Sequence, residues 1–150
     1  MIHFEGNRSF SVPLADAFAK LGDASFLIGC LKDVEEVVEQ SADRAVWKLQ
    51  PGFSFVRTKL DITMTIVERV PNSSVKIAVF SKGIGATSTV QSQLALQPVD
   101  RGTAVQWSAD ITELTGLLKL IPKGLISSSA SKIIEDTWTE IEKKLRSSAG

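Results

Sequence analysis

The single histidine and the single cysteine limit the chemistry open to this 150-residue chain. A nucleophile–histidine–carboxylate triad or a histidine-containing metal site would have to be assembled around His3, near the start of the first extended segment. Without such partners in the local sequence, His3 reads as an ordinary strand residue. Cys30 sits beside Leu27 and Leu31, the surroundings of a small buried hydrophobe. A reactive thiol needs a cationic neighbour, and Lys32 is the nearest on offer. Glu35, Glu36 and Glu39 form the densest acidic cluster, but paired carboxylates do acid–base work only when one is buried. Here they read as a solvated strand and hairpin edge. Gly83-Ile84-Gly85 has the composition of a phosphate loop, yet it joins two extended segments with no helix N-terminus behind it to hold an anion, so it reads as a turn.

Binding chemistry remains. Trp47, Trp107 and Trp138 offer broad aromatic faces, and Trp107, on a strand expected to face the last helix, is placed nearest a pocket. Seventeen basic and seventeen acidic side chains cancel. The longest basic run is Lys143-Lys144 with Arg146 close behind, so the positive field that nucleic acid requires is missing. No apolar run approaches the ~18 residues of a membrane span; Leu117-Leu118-Lys119-Leu120-Ile121 is cut by a lysine and ended by Pro122. The N-terminal Met1-Ile2-His3-Phe4-Glu5 lacks the pattern of a secretory leader and Cys30 has no partner for an internal disulfide, so the expected location is cytoplasmic. No motif asks for a cofactor.

The elements that would position these residues follow from periodicity. Ile2 to Val12 alternates as a strand and ends at Pro13, which suits the first turn of a helix. Leu14, Ala17, Phe18 and Leu21 recur at helical spacing up to Gly22, and Asp23 caps a second short helix carrying Phe26, Leu27 and Cys30. The period then changes to two. Val34–Gln40, Ala45–Gln50, Phe53–Val67, Val75–Lys82, Ala86–Gln97 and Thr103–Glu113 read as six strands separated by short turns, an antiparallel meander. From about Leu117 to Arg146 the apolar spacing is helical again through Ile133, Ile134, Trp138, Ile141 and Leu145, with Pro122 and Gly124 marking a kink or the true start.

Seven strands of alternating character must cover one apolar face, and the last helix is the only element large enough. The predicted fold is α+β: a curved seven-stranded antiparallel sheet wrapped around a long C-terminal helix, with two short helices after strand 1. Alternation turns Trp47, Leu49, Leu60, Ile62, Met64, Val75, Ile77, Val79, Leu94, Leu96, Val105, Trp107 and Ile111 inward and Asp61 and Asp110 outward. Inward positions near Ala86, Ser88, Val90, Ser92 and Ala109 are small, which predicts a cavity under the helix. Leu27, Leu60, Met64, Val79, Ser88, Val90, Trp107, Leu118, Ile121 and Leu125 are its expected lining. Leu117, Leu118, Leu120, Ile121, Leu125 and Ile126, with Lys119, Lys123 and Lys132, read as core with snorkelling lysines, or as a surface that touches membranes.

This order of elements resembles the helix-grip fold of the START/Bet v 1-like (SRPBCC) superfamily, and within it the CoxG-like family, named for the G subunit of carbon monoxide dehydrogenase. The resemblance rests on Phe4-Glu5-Gly6, Val12-Pro13, Leu21-Gly22-Asp23, Leu27-Ile28-Gly29-Cys30-Leu31, Val34-Glu35-Glu36-Val37, Gly83-Ile84-Gly85, Gly102-Thr103 and Trp107-Ser108-Ala109-Asp110. Lys32-Asp33 stands where that family typically has Pro-Gly. The resemblance implies one domain over residues 1–150, a cavity for lipids, quinone-like molecules or other hydrophobic small molecules, and no transferable catalytic set. In some relatives it implies a role in maturation or membrane recruitment of a redox enzyme. A polyketide cyclase or hydratase on the same fold is the rival expectation, and a monomer and a homodimer stay equally open.

Overall fold

The structure, a computed structural model, describes residues 2–32, 34–49, 60–83 and 85–149. The chain runs β1 (Ile2–Phe10), α1 (Leu14–Leu21), α2 (Ala24–Ile28), β2 (Val34–Gln40), β3 (Arg44–Leu49), β4 (Leu60–Val70), β5 (Ser74–Gly83), β6 (Ala86–Val99), β7 (Gly102–Gly116), a 3-10 turn (Leu117–Leu120) and α3 (Lys123–Ala149). All seven strands form one curved antiparallel sheet in the order β1-β7-β6-β5-β4-β3-β2. The meander from β2 to β7 is the predicted one, and β1 closes it by pairing with β7. The expected strand Phe53–Val67 is seen from Leu60; its residues 53–59, like Gln50 at the end of the preceding predicted strand, Ile84 of the predicted turn and Asp33, lie outside the described residues.

Local chemistry sets the helix ends. Pro13 precedes α1 and its carbonyl accepts from the Ala17 N–H. The Asp23 carboxylate accepts from the Ser25 N–H at 2.9 Å and caps α2, an interaction worth about 1 kcal/mol. Arg69 then ties this helical corner to the β2–β3 turn. Its guanidinium donates to the carbonyls of Gly22 and Ala42, each at 2.8 Å, and pairs with Asp43 at 2.7 Å.

The expected single helix from Leu117 to Arg146 needs correction. A 3-10 turn comes first, Ile121 is extended, and α3 begins only after Pro122, whose carbonyl accepts from the N–H groups of Leu125 and Ile126. Proline lacks an N–H and fixes its own φ, so the chain restarts the helix there and does not run through it.

Two extra residues re-aim the inner face. Val67 is a bulge in β4 and Thr112 one in β7, because Ile66 pairs Ile77 while Glu68 pairs Lys76, and Ile111 pairs Val90 while Glu113 pairs Thr89. Beyond Thr112 the parity reverses, so Leu114, not Glu113, returns to the inner face opposite Ser88.

Candidate functional site

Reading the strand registers across the sheet resolves the inner face into rows. One runs Phe4, Ala109, Ser92, Ile77 and Ile66; the next Ile2, Ile111, Val90, Val79, Met64 and Ala45; the next Leu114, Ser88, Ser81, Ile62 and Trp47. Strands stand about 4.8 Å apart, so Ser92, Val90 and Ser88 on β6, with Val79 beside Val90 on β5 and Phe4 at the β1 edge, form one connected floor on the inner face.

Two apolar clusters flank this floor. The larger joins α1, α2, the β3–β7 inner face and the C-terminal half of α3, where Trp138 stacks on Phe10 and tilts against Trp107, each with ring centroids 6.0 Å apart. The smaller gathers Ile2, Ala86, Ile111, Leu118, Ile121 and Ile126 at the other end. The helix stripe Ile126, Ala130, Ile134, Trp138, Ile141 and Leu145 passes from one to the other at steps of three and four. Between the clusters, Phe4, Val79, Ser88, Val90 and Ser92 are only half-buried although they point inward. An inward side chain that water still reaches is incompletely covered, so these five residues, two of them hydroxyl-bearing, mark where the cover of the inner face is thinnest.

The expected lining residues distribute over this frame. Leu27, Leu60, Met64 and Trp107 are buried in the larger cluster, with Val79 packed on it; Leu118 and Ile121 are buried in the smaller; Val90 packs against both. Ser88 lies on the floor. Leu125 does not join them. It is 41% exposed and belongs to neither cluster, because helix restart after Pro122 turns Ile126, not Leu125, toward the sheet. Leu120, expected in the core, is likewise turned out. Sequence reasoning left Ser81, Leu114 and Ala130 unmarked and placed Ile134 on the helix stripe but not in the lining. Parity with Val79 marks Ser81, and the spacing to Ile126 and Trp138 marks the two helix residues. Leu114 had no signal, since only pairing reveals a bulge.

Polar groups on this face are few. Ser92 donates its hydroxyl to the Ser108 carbonyl at 2.9 Å. The indole N–H groups of Trp47 and Trp107 are buried with no hydrogen-bond partner, which costs about 1–3 kcal/mol each if they stay unpaired. The Trp107 indole lies on Gly6: a Cβ there would come to 2.8 Å of Cζ2 and 3.0 Å of Nε1. Arg8 also points inward and pairs with Glu135, bridging β1 to α3 at the sheet edge.

The residues considered first for chemistry lie elsewhere. His3 is on the outer face, with Nδ1 2.5 Å from Asp110 and Nε2 3.5 Å from Glu5. Its pKa is raised above the ordinary 6.5, chiefly by the hydrogen bond to Asp110. Cys30 is buried in the larger cluster, and burial pushes its thiol up to about 11, against the opposing pull of Lys144. A thiol so placed is a packing group and not a nucleophile. Glu35, Glu36 and Glu39 are exposed on β2. Grooves beside Asn7, Ser9, Gln97 and Gln106 are shallow and lie over β1, β7 and β6. Among the described residues, no group of three His, Cys, Asp or Glu could hold a metal ion, and no helix is long and apolar enough to cross a membrane.

A model of the CoxG family, described by the G subunit of carbon monoxide dehydrogenase, matches residues 6–146. No curated protein matches the chain. Among solved structures, a conserved protein from Geobacillus kaustophilus superposes with a TM-score of 0.82 at 21% identity, covering 99% of this chain and 98% of that one. A START superfamily protein from Mycobacterium smegmatis superposes at 0.67 with 8% identity, covering 97% of each chain. A protein from Thermus thermophilus superposes at 0.65 with 17% identity, covering 99% and 100%. At these identities the likeness is one of fold, and it is the helix-grip arrangement that the order of elements implied.

Proposed function

The chain belongs to the CoxG family, that of the carbon monoxide dehydrogenase G subunit, and from that premise we propose that it carries a hydrophobic small molecule, a lipid or quinone-like compound, between the sheet and α3 without transforming it. The observation that carries the reading is the half-buried floor of Phe4, Val79, Ser88, Val90 and Ser92 between two well-packed clusters. Such a floor gains by being covered, at roughly 25 cal/mol per Å² of apolar surface removed from water. Ser81, Ser88 and the unpaired indole N–H groups supply the few polar contacts that orient a ligand in an apolar site. The rows of the inner face hold no Asp or Glu, whereas a cyclase or hydratase needs an ionisable group there; Asp61 is exposed and Asp110 is engaged by His3 on the outer face. The family is named for a subunit of a redox enzyme, and the proposal extends to a role beside such an enzyme, in its assembly or its recruitment to a membrane.

The test is native mass spectrometry of the freshly purified protein, followed by denaturation and lipid extraction. One apolar mass released on denaturation is the expected result. A clean protein that also fails to take up added long-chain lipids or quinones would overturn the reading.

A further inference from the structure

The described strands align two basic residues with the inner face, Arg8 opposite Val105 and Arg69 opposite Val75. Every side-chain nitrogen of Arg69 is engaged, by Gly22, Ala42 and Asp43. Arg8 differs. Its side chain is only 24% exposed, and its partner among the described residues is the Glu135 carboxylate on α3, met through Nη2. Nη1 and Nε are left over, and a guanidinium drawn out of water is costly to leave partly satisfied. Two residues back along β1, the Trp107 indole lies on Gly6 with its N–H buried and unpaired. Two residues further back stands Phe4, the near end of the floor. Inward residues of a strand follow one another at about 6.7 Å. Within about 13 Å, the inner face of β1 therefore passes from a cation, past a hydrogen-bond donor, to an apolar surface.

We infer that the carried molecule is a long-chain carboxylate, its head held by Arg8 and the Trp107 N–H and its tail laid on the floor beyond Phe4. The order of groups along β1 is the order of groups in such an amphiphile. A carboxylate has two oxygens with several lone pairs, enough for the free guanidinium donors and the indole N–H together. An uncharged head would accept from the indole alone and leave the guanidinium as it stands. Glu135 is 61% exposed, so yielding Arg8 to the ligand and turning out to water gives up little, as exposed pairs are worth little. An inward charge can also keep an edge strand from pairing with another sheet, and β1 does end this sheet. That role accounts for the arginine but not for the unpaired indole N–H beside it. The inference names the ligand class of the proposed function and rests on that reading.

The test is titration of the lipid-stripped full chain, followed by native mass spectrometry, with palmitate and with hexadecanol, which shares its chain and lacks its charge. Palmitate should bind about tenfold tighter. Arg8→Gln should bring palmitate down to the level of hexadecanol. Glu135→Gln removes the carboxylate that competes for Arg8 and should strengthen palmitate binding severalfold. Trp107→Phe should weaken both ligands about fivefold, because each offers an oxygen to the indole. Circular dichroism and Tm certify the variants as folded, and Glu135→Gln, at an exposed position, keeps the test decisive if Arg8→Gln unfolds. Equal affinities for the two ligands, a palmitate preference that survives Arg8→Gln, or weaker palmitate binding by Glu135→Gln would each overturn the inference and leave the carrier reading standing. So would an Arg8→Gln protein that dimerises with its preference intact, which makes the arginine a guard of the sheet edge. Uptake of neither ligand also overturns the inference, and the carrier reading falls with it only if added quinones are refused as well.

Discussion

Replacing Val90 by phenylalanine asks whether the space between sheet and helix is open. Val90 sits mid-row between Ile111 and Val79, packs against both clusters, and is half-buried. Phenylalanine adds four carbons. With about half of that addition buried at roughly 0.8 kcal/mol per carbon, the gain is about 1.5 kcal/mol. Lost rotamer freedom takes back some tenths, leaving about 1 kcal/mol, or a Tm higher by about 2–4 °C in a chain of this length. A close-packed site gives the opposite sign, since overpacking costs about 1–3 kcal/mol. The assay is thermal unfolding followed by circular dichroism on protein stripped of lipid, because bound ligand would stabilise the wild type by mass action and mask the comparison. Native mass spectrometry of the unstripped variant should show the apolar mass gone. A lowered Tm in the stripped protein would refute the open floor.

Gly6→Ala should destabilise by about 1–3 kcal/mol, because its methyl would meet the Trp107 ring at 2.8 Å; tryptophan fluorescence should shift with the fall in Tm, and an unchanged spectrum would contradict the contact. His3 should titrate above 6.5 in nuclear magnetic resonance spectra and fall back toward that value in Asp110→Asn. Because the folded pKa is the raised one, the pair's contribution to stability is complete below pH 6.5 and fades as pH rises through the folded value; identical wild-type and variant titrations would remove the pair. Cys30, with its thiol near 11, should resist iodoacetamide at about pH 8 until guanidinium unfolds the chain, and rapid labelling of the native protein would show it is not buried. Asp23→Ala should lower stability by about 1 kcal/mol through loss of the α2 cap, read as a shift in the urea midpoint.

Much of this molecule is local and therefore written in the sequence. Alternation over Val75 to Lys82 and over Ala86 to Gln97 matched the pleat, so the inward assignments of Val75, Ile77, Leu94 and Leu96 are those of the structure. Asp23 and Pro13 acted at the positions their side chains dictate. Bulges at Val67 and Thr112 were hidden because an extra residue breaks parity only relative to a partner strand.

The sequence by itself determined the element types and their order, a strand, two short helices, a six-stranded meander and a closing helix. Periodicity, capping and composition are properties of neighbouring residues, so one strand of text carries them. Only the tertiary structure decided which apolar residues are covered. Leu118, Leu120, Leu125 and Ile126 look alike in sequence, yet the break at Pro122 buries the first and last and leaves the middle two in water. The floor between the clusters is likewise a product of pairing. Val79, Val90 and Ser88 become neighbours through strand register, and the space above them depends on where α3 touches the sheet and where it does not.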